Sequence, residues 1–233
     1  MRTKVSRFAE LAWIIGVILC PLGVCLSAKS GFGVSMIVAP AYILYFKLYT
    51  IFPWFTFGIA EYCLQGMLII VTAIIMNRFK WKYLLSFVTT ICYGFMLDVW
   101  FKVLGEQLFQ LLWQRVISSI VGQMITALAI AFFLRTYLPQ QAYELFVKEL
   151  VEHFQFNLTK FKWIYDITSL VVAIVLMYIL FQRFATNIVG INTLLATLIN
   201  APLIGFFGTM LDKRFEFTSA YQSFHNKFQE LMN

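Results

Sequence analysis

The sequence predicts an all-α polytopic membrane protein. Of its 233 residues, 61% are apolar and only 12% are charged, which is about half the charged share of a typical soluble domain. A soluble globule of this size could not hide so much apolar surface, because most of its outer layer must be polar. Six stretches are apolar over the roughly 20 residues that a membrane-spanning helix needs. They lie near residues 8–28, 56–76, 83–103, 110–134, 163–182 and 189–211.

The charges between these spans predict the orientation of the chain. If both termini are cytoplasmic, the cytoplasmic side holds 13 Lys and Arg residues and the other side holds 5. Cytoplasmic loops carry such an excess of basic residues. We therefore expect a multi-pass protein of the inner (cytoplasmic) membrane with both termini inside. The basic residues behind the net charge of +7 then orient the chain in the membrane, and no nucleic-acid partner is expected.

Two connecting segments are too apolar to be ordinary loops. Residues 29–55 begin with a Gly-rich turn, continue as an apolar stretch broken by Pro40, and stop at Pro53. They predict a half-helix, either re-entrant or lying in the interface, since irregular backbone at membrane depth must be surrounded by protein or by a water-filled cavity.

Residues 136–162 predict an amphipathic helix on the inner surface, because their apolar side chains recur at helical spacing. The predicted apolar face holds Tyr143, Phe146, Val147, Leu150 and Phe154, and the polar side holds Glu144, Lys148, Glu149 and Glu152.

An internal repeat is visible in the chain. The third span ends in GFMLD at residues 94–98, and the sixth ends in GTMLD at residues 208–212. Each half holds three spans, an odd number, so the halves would have opposite orientations, as in many secondary transporters. Convergence of apolar sequence is the alternative explanation. The predicted units are a first repeat (1–107), a second repeat (108–212) and an amphipathic C-terminal tail (213–233).

The segment GVCLSAKSGFGVSMIVAPAYIL at residues 23–44 resembles the opening of the bacterial YczE/YyaS/YitT-like membrane proteins. The matching positions are Gly23, Ser27, Lys29, Gly33, Ser35 and Tyr42. Further matching features are FTFG at 55–58, the Lys162 to Asp166 step, and VGI at 189–191 followed by Pro202. The chain departs from the family pattern at Met36, where Pro is usual, and at Gln65, where Asn is usual. The resemblance implies a multi-pass membrane fold.

Charged and polar residues inside spans are candidate functional groups, because an unpaired charge in the bilayer is costly. Lys162 and Asp166 share one helix face, where they would bind a zwitterionic or anionic solute, relay a proton, or simply form an interfacial ion pair. Glu61 and Gln65, also four residues apart, would face a cavity.

A second set of candidates lies around the predicted half-helix. Lys29, Gly33 and Ser35 precede it, and a helix N-terminus favours an anion. Asn192 and Thr193 add polar groups to the sixth span, although such residues often serve only as contacts between helices. We find no protease, hydrolase or ATP-binding motif and no metal-ligand spacing. We therefore expect no enzyme, no cofactor and no metal.

The leading hypothesis is a transporter or permease for a small polar or anionic solute. One alternative is a substrate-binding membrane subunit that needs an ATPase partner. Another is a scaffold or regulator of a membrane-associated assembly. The expected partners are the lipid bilayer, a small solute, and a second copy of the chain or another membrane protein.

Overall fold

The computed structural model describes residues 9–105, 109–183 and 185–218 and forms eight helices there. In chain order they are α1 (Ala9–Ser30), α2 (Ala39–Tyr49), α3 (Phe57–Ile75), α4 (Trp81–Val103), α5 (Leu112–Phe133), α6 (Ala142–Phe154), α7 (Leu158–Phe181) and α8 (Ile191–Arg214). Six of them, all except α2 and α6, are long and apolar enough to cross a membrane. The six predicted spans are thus confirmed as helices. Most of the predicted C-terminal tail, residues 219–233, lies outside the described residues.

Helices α1 and α5 form the centre of the bundle and run antiparallel. Ser118, early in α5, donates a hydrogen bond to the carbonyl of Leu26, late in α1, over 2.9 Å. At the other end of the pair, Gly16 of α1 lies against the ring of Phe133 in the last turn of α5. Helix α4 packs on α1, and α8 packs on α5.

Ion pairs define one end of the bundle, which we name the basic end. Lys80 and Lys82, just before and within the first turn of α4, both pair with Glu149 of α6. Arg135, just after α5, pairs with Asp212 near the end of α8 at 2.6 Å. At the opposite end the turn after α1 packs on the start of α8, where Asn192 Nδ2 donates to the carbonyl of Gly33 over 2.8 Å.

Helix α6 starts inside the bundle and runs out to the basic end. The carbonyl of Pro139 accepts from Thr89, and that of Gln140 accepts from Ser86, at 2.9 and 2.6 Å. Both donors lie more than one turn beyond the start of α4 at Trp81. Because each residue advances a helix by about 1.5 Å along its axis, these donors are well inside the bundle. The prediction of a helix lying on the inner surface is therefore wrong for its first turn, which is inserted between α1, α3 and α4.

Two side chains of α6 also differ from the predicted faces. Glu149, placed on the polar side, is 2% exposed, because Lys80 and Lys82 neutralise its charge. Phe154, placed on the apolar face, is 47% exposed and stacks on Phe156 instead of packing in the core.

Helix α2 is the half-helix predicted within residues 29–55. The segment before it contacts the interior part of α8 through Met36 and Thr197, and α2 itself runs to the end opposite the basic end, where Lys47 lies over the Phe181 ring. The helix ends at Tyr49 and not at Pro53. The carbonyls of its last turn remain satisfied: the Thr50 hydroxyl donates to the Lys47 carbonyl, and the amides of Ile51 and Phe52 donate to the Leu48 carbonyl.

Candidate functional site

The segment that leads into α2 and the first turn of α6 face one cavity of about 240 Å³, which we name the central cavity. The segment 35–38 leads into α2 from one side, and residues 141–144 open α6 on the other. Helices α1, α4, α5, α7 and α8 supply the remaining wall. Its polar members include Ser35, Tyr93, Thr126, Gln141, Tyr143, Glu144, Lys162, Asp166, Thr197 and Asn200.

The central cavity holds charges of both signs. Lys162 and Asp166 come from α7, and Glu144 comes from the first turn of α6. Asp166 Oδ1 and Glu144 Oε2 are buried and have no hydrogen-bond partner among the described residues. Burial raises the pKa of Glu144 above its ordinary value, and the nearby Lys162 partly opposes that shift. Buried polar atoms are nearly always satisfied, so these two oxygens leave acceptor positions for a bound molecule.

A second space, the α6 groove, adjoins the central cavity. It measures about 490 Å³ and shares Ile37, Tyr143, Glu144 and Lys162 with the cavity wall. Its other lining residues include Lys148 and Glu152, which are exposed and lie farther along α6 toward the basic end. The α6 groove therefore lies between the central cavity and the basic end.

A buried network holds the first turn of α6 in place. Glu61 Oε2 accepts hydrogen bonds from Gln65 Nε2 at 2.9 Å and from the Tyr143 hydroxyl at 3.1 Å. Gln65 Oε1 accepts from the Thr90 hydroxyl at 2.8 Å and from the Ala142 amide at 3.2 Å. Glu61 and Gln65 are fully buried and position the cavity wall without being part of it.

Three of the nine residues predicted to bind solute line the central cavity: Ser35, Lys162 and Asp166. Lys29 does not, because it lies in the last turn of α1, with its ammonium 3.9 Å from the centroid of Phe101. A cation there suits the negative end of the α1 dipole. It does not sit at the N-terminus of α2.

Gly33, Asn192 and Thr193 form a structural joint outside the central cavity. Gly33 has φ +97°, which favours glycine, and a Cβ there would meet the backbone of Gly190. Asn192 donates to the Gly33 carbonyl, and the Thr193 hydroxyl accepts from the Gly190 amide. These contacts fix the turn that leads into α2 and lie outside the wall of the central cavity.

Sequence reasoning missed Glu144 and Gln141 as members of the cavity wall. Both lie in a segment read as a surface helix, where an acid in the first turn needs no explanation beyond the helix dipole. No signal in the sequence separates this start from that of a surface helix, because Pro and polar residues are common at the first turn of any helix. Asn200 of α8 also lines the cavity.

Comparison with known proteins places this architecture in a family. The model of a family of unknown function, DUF6198, matches residues 8–209. The chain belongs to this family. The DUF6198 match spans both half-helices and every residue of the central cavity, so the candidate site lies within the part that the family model describes. No curated protein and no solved structure matches the chain, and the likeness to YczE/YyaS/YitT-like proteins stays a prediction.

Proposed function

We propose that this DUF6198 protein is a membrane transporter that moves a small zwitterionic solute through the central cavity. The observation that carries the proposal is that the segment leading into half-helix α2 and the first turn of half-helix α6 meet at one charged cavity. Secondary transporters commonly bind their substrates between discontinuous helices near the middle of the membrane.

The packing of the helices supports two inverted halves, α1–α4 and α5–α8. Helix α1 packs on α4 as α5 packs on α8; α2 contacts α3 as α6 contacts α7; and α2 contacts α7 as α6 contacts α3. The antiparallel pair α1 and α5 would lie on the axis that relates the halves. The equivalence breaks where α3 and α6 pack on α4, since α7 and α2 make at most marginal contact with α8. Such an asymmetry is expected of a transporter resting in one of two states.

The wall of the central cavity favours a zwitterion over a simple anion. The unpartnered oxygens of Glu144 and Asp166 suit an ammonium group. Lys162, which lines the same wall, suits a carboxylate. The volume of about 240 Å³ lies below the roughly 300 to 1,000 Å³ of pockets for drug-sized ligands, so the solute is the size of a small metabolite.

The proposed orientation places the basic end in the cytoplasm. The basic residues concentrated there follow the rule for cytoplasmic loops. The α6 groove then leads from the central cavity to the cytoplasm, and in this state the solute exchanges with that side.

Uptake into proteoliposomes tests the proposal. The probes are labelled amino acids, with simple monocarboxylates and monoamines for comparison. We expect uptake of a zwitterion that Asp166→Asn reduces at least tenfold. Lys29→Ala and Glu216→Gln serve as controls, because neither residue lines the cavity, and both should keep most of the uptake. If Asp166→Asn leaves uptake unchanged, the assignment of the site is contradicted. If no probe is taken up, the proposed function is contradicted.

The same cavity would also serve a substrate-capturing subunit of an ATPase-driven importer. That protein would bind the zwitterion in detergent, lose binding in Asp166→Asn, and show no uptake until a partner is added. Uptake by the isolated chain would exclude this alternative.

A further inference from the structure

Glu61 is a buried acid without a basic partner. Its side chain is 0% exposed, and it forms no ion pair with any described residue. The titratable groups that face it are Cys20 of α1, Tyr93 of α4, Tyr143 and Glu144 of α6, and Tyr165 of α7. None of them is basic. A buried carboxylate with only such neighbours is strongly disfavoured.

The hydrogen bonds around Glu61 fit a neutral carboxylic acid. Oε2 accepts two, from Gln65 and Tyr143, as the carbonyl oxygen of an acid does. Oε1 is buried and has no hydrogen-bond partner among the described residues, so no described donor would stabilise a negative charge on it, and Oε1 rather than Oε2 is the position left for the hydrogen of a neutral acid. A carboxylate would instead need donors on both oxygens.

We propose that Glu61 is the proton-binding site that couples proton movement to transport through the central cavity. The coupling to transport rests on the proposed function, whereas the bound proton does not depend on it. Glu61 holds the proton in the conformation described here.

The first turn of α6 connects this proton to the cavity. Tyr143 donates to Glu61 and also lines the central cavity. Gln141 lines the cavity too, and its side-chain oxygen lies 3.5 Å from Gln65 Nε2. A shift of this turn when solute enters or leaves exposes Glu61 to water. The proton then passes from Oε1 to a water molecule, forming hydronium and leaving a hydrated carboxylate, and the reverse transfer from hydronium on the other side restores the acid.

Infrared difference spectroscopy of the purified full chain in lipid nanodiscs tests the bound proton without any solute. At neutral pH we expect a protonated-carboxyl C=O band that disappears in Glu61→Gln and persists in Glu216→Gln. Tyr143→Phe removes one of two donors to Oε2, so it should move the band to higher wavenumber. This variant keeps the test decisive if Glu61→Gln fails to fold. A band that survives Glu61→Gln, or that Tyr143→Phe does not move, would overturn the proposal.

The coupling is tested in proteoliposomes loaded with a pH-sensitive dye and supplied with the same amino-acid panel. The wild-type chain should acidify the interior during uptake, and Glu61→Gln should abolish that acidification while solute exchange continues. Uptake without acidification would overturn the coupling and leave the proposed function standing. Loss of all uptake, with the infrared band intact, would overturn the proposed function and leave the proton site standing.

Discussion

Gly23 of α1 and Gly122 of α5 lie against each other's backbone in a reciprocal contact. A Cβ on Gly23 would stand 2.6 Å from the Gly122 carbonyl oxygen, and a Cβ on Gly122 would stand 2.7 Å from the Gly23 carbonyl oxygen. Small residues allow membrane helices to approach this closely. The contact holds α1 and α5 together at the centre of the bundle, and both helices contribute residues to the wall of the central cavity.

Gly23→Ala should therefore destabilise the protein, because the new methyl group must push two backbones apart. We expect a loss of about 1–3 kcal/mol, the usual cost of overpacking, seen as a lower melting temperature in detergent. Gly205→Ala in α8 is the matched control, since a Cβ there meets no described atom within 4 Å. Because alanine has a higher helix propensity than glycine, Gly205→Ala should be neutral or slightly stabilising. Equal behaviour of the two variants would contradict the close contact.

The pair of lysines at Glu149 should make stability depend on pH. Burial alone would raise the pKa of Glu149, but hydrogen bonds from Lys82, Lys80 and Tyr83 outweigh it and lower the pKa below its ordinary value of 4.5. A lowered pKa in the folded state means that the stabilisation is full above the ordinary value and disappears as the pH falls through the folded-state pKa.

Melting curves of Glu149→Gln against the wild type check this dependence. At neutral pH the variant should lose about 2 kcal/mol, typical of hydrogen bonds to a charged group, and the difference should vanish in acid. Glu152→Gln is the control, because its pair with Lys148 is exposed at 3.9 Å and worth little. A constant difference at every pH would contradict the ion pairs.

Glu144→Gln should stabilise the protein at neutral pH, whereas Glu149→Gln should destabilise it. Burial raises the pKa of Glu144 in the folded state, so the folded protein becomes less stable as the pH rises from the ordinary value through the raised one. The amide removes that penalty, and we expect a higher melting temperature than wild type at neutral pH and no gain in acid. The same variant should bind solute more weakly. A lower melting temperature at neutral pH would show that the Glu144 charge is already paired.

Thr90→Val should weaken the anchoring of α6 while keeping the shape of the side chain. The variant loses the 2.8 Å hydrogen bond to Gln65 Oε1, and we expect a loss of about 1 kcal/mol in thermal denaturation. Thr209→Val is the matched control, because among the described residues the exposed Thr209 hydroxyl bonds only to the carbonyl of Gly205, one turn back in its own helix. If both variants melt alike, Gln65 does not depend on Thr90.

The sequence predicted what depends on local composition. Spans follow from the length of apolar stretches, and the half-helix α2 followed from the Gly-rich turn and the interrupted apolar run at 29–55. Residues brought together over long separations could not be found in this way. Glu149 is 67 residues from Lys82, and a helical pattern alone places it on the exposed side.

The candidate site also combines residues that local sequence predicts with residues that it does not. Lys162 and Asp166 were predictable, because their spacing puts them on one face of a single helix. Glu144 was not, because its position depends on how deeply α6 enters the bundle. That depth is set by Pro139 and Gln140 bonding to α4, which periodicity does not report. Lys29 was misplaced because its nearest helix end is the C-terminus of α1.

Binding at the central cavity is tested most directly by thermal denaturation of the purified chain against a panel of zwitterionic, anionic and cationic metabolites. A solute that binds only the folded state stabilises it by about 2.7 kcal/mol at a hundredfold excess over its Kd. We predict that a small zwitterion raises the melting temperature of the wild type and of Glu216→Gln but not of Asp166→Asn. A panel in which no solute shifts the wild type, or in which Asp166→Asn shifts equally, would contradict the account.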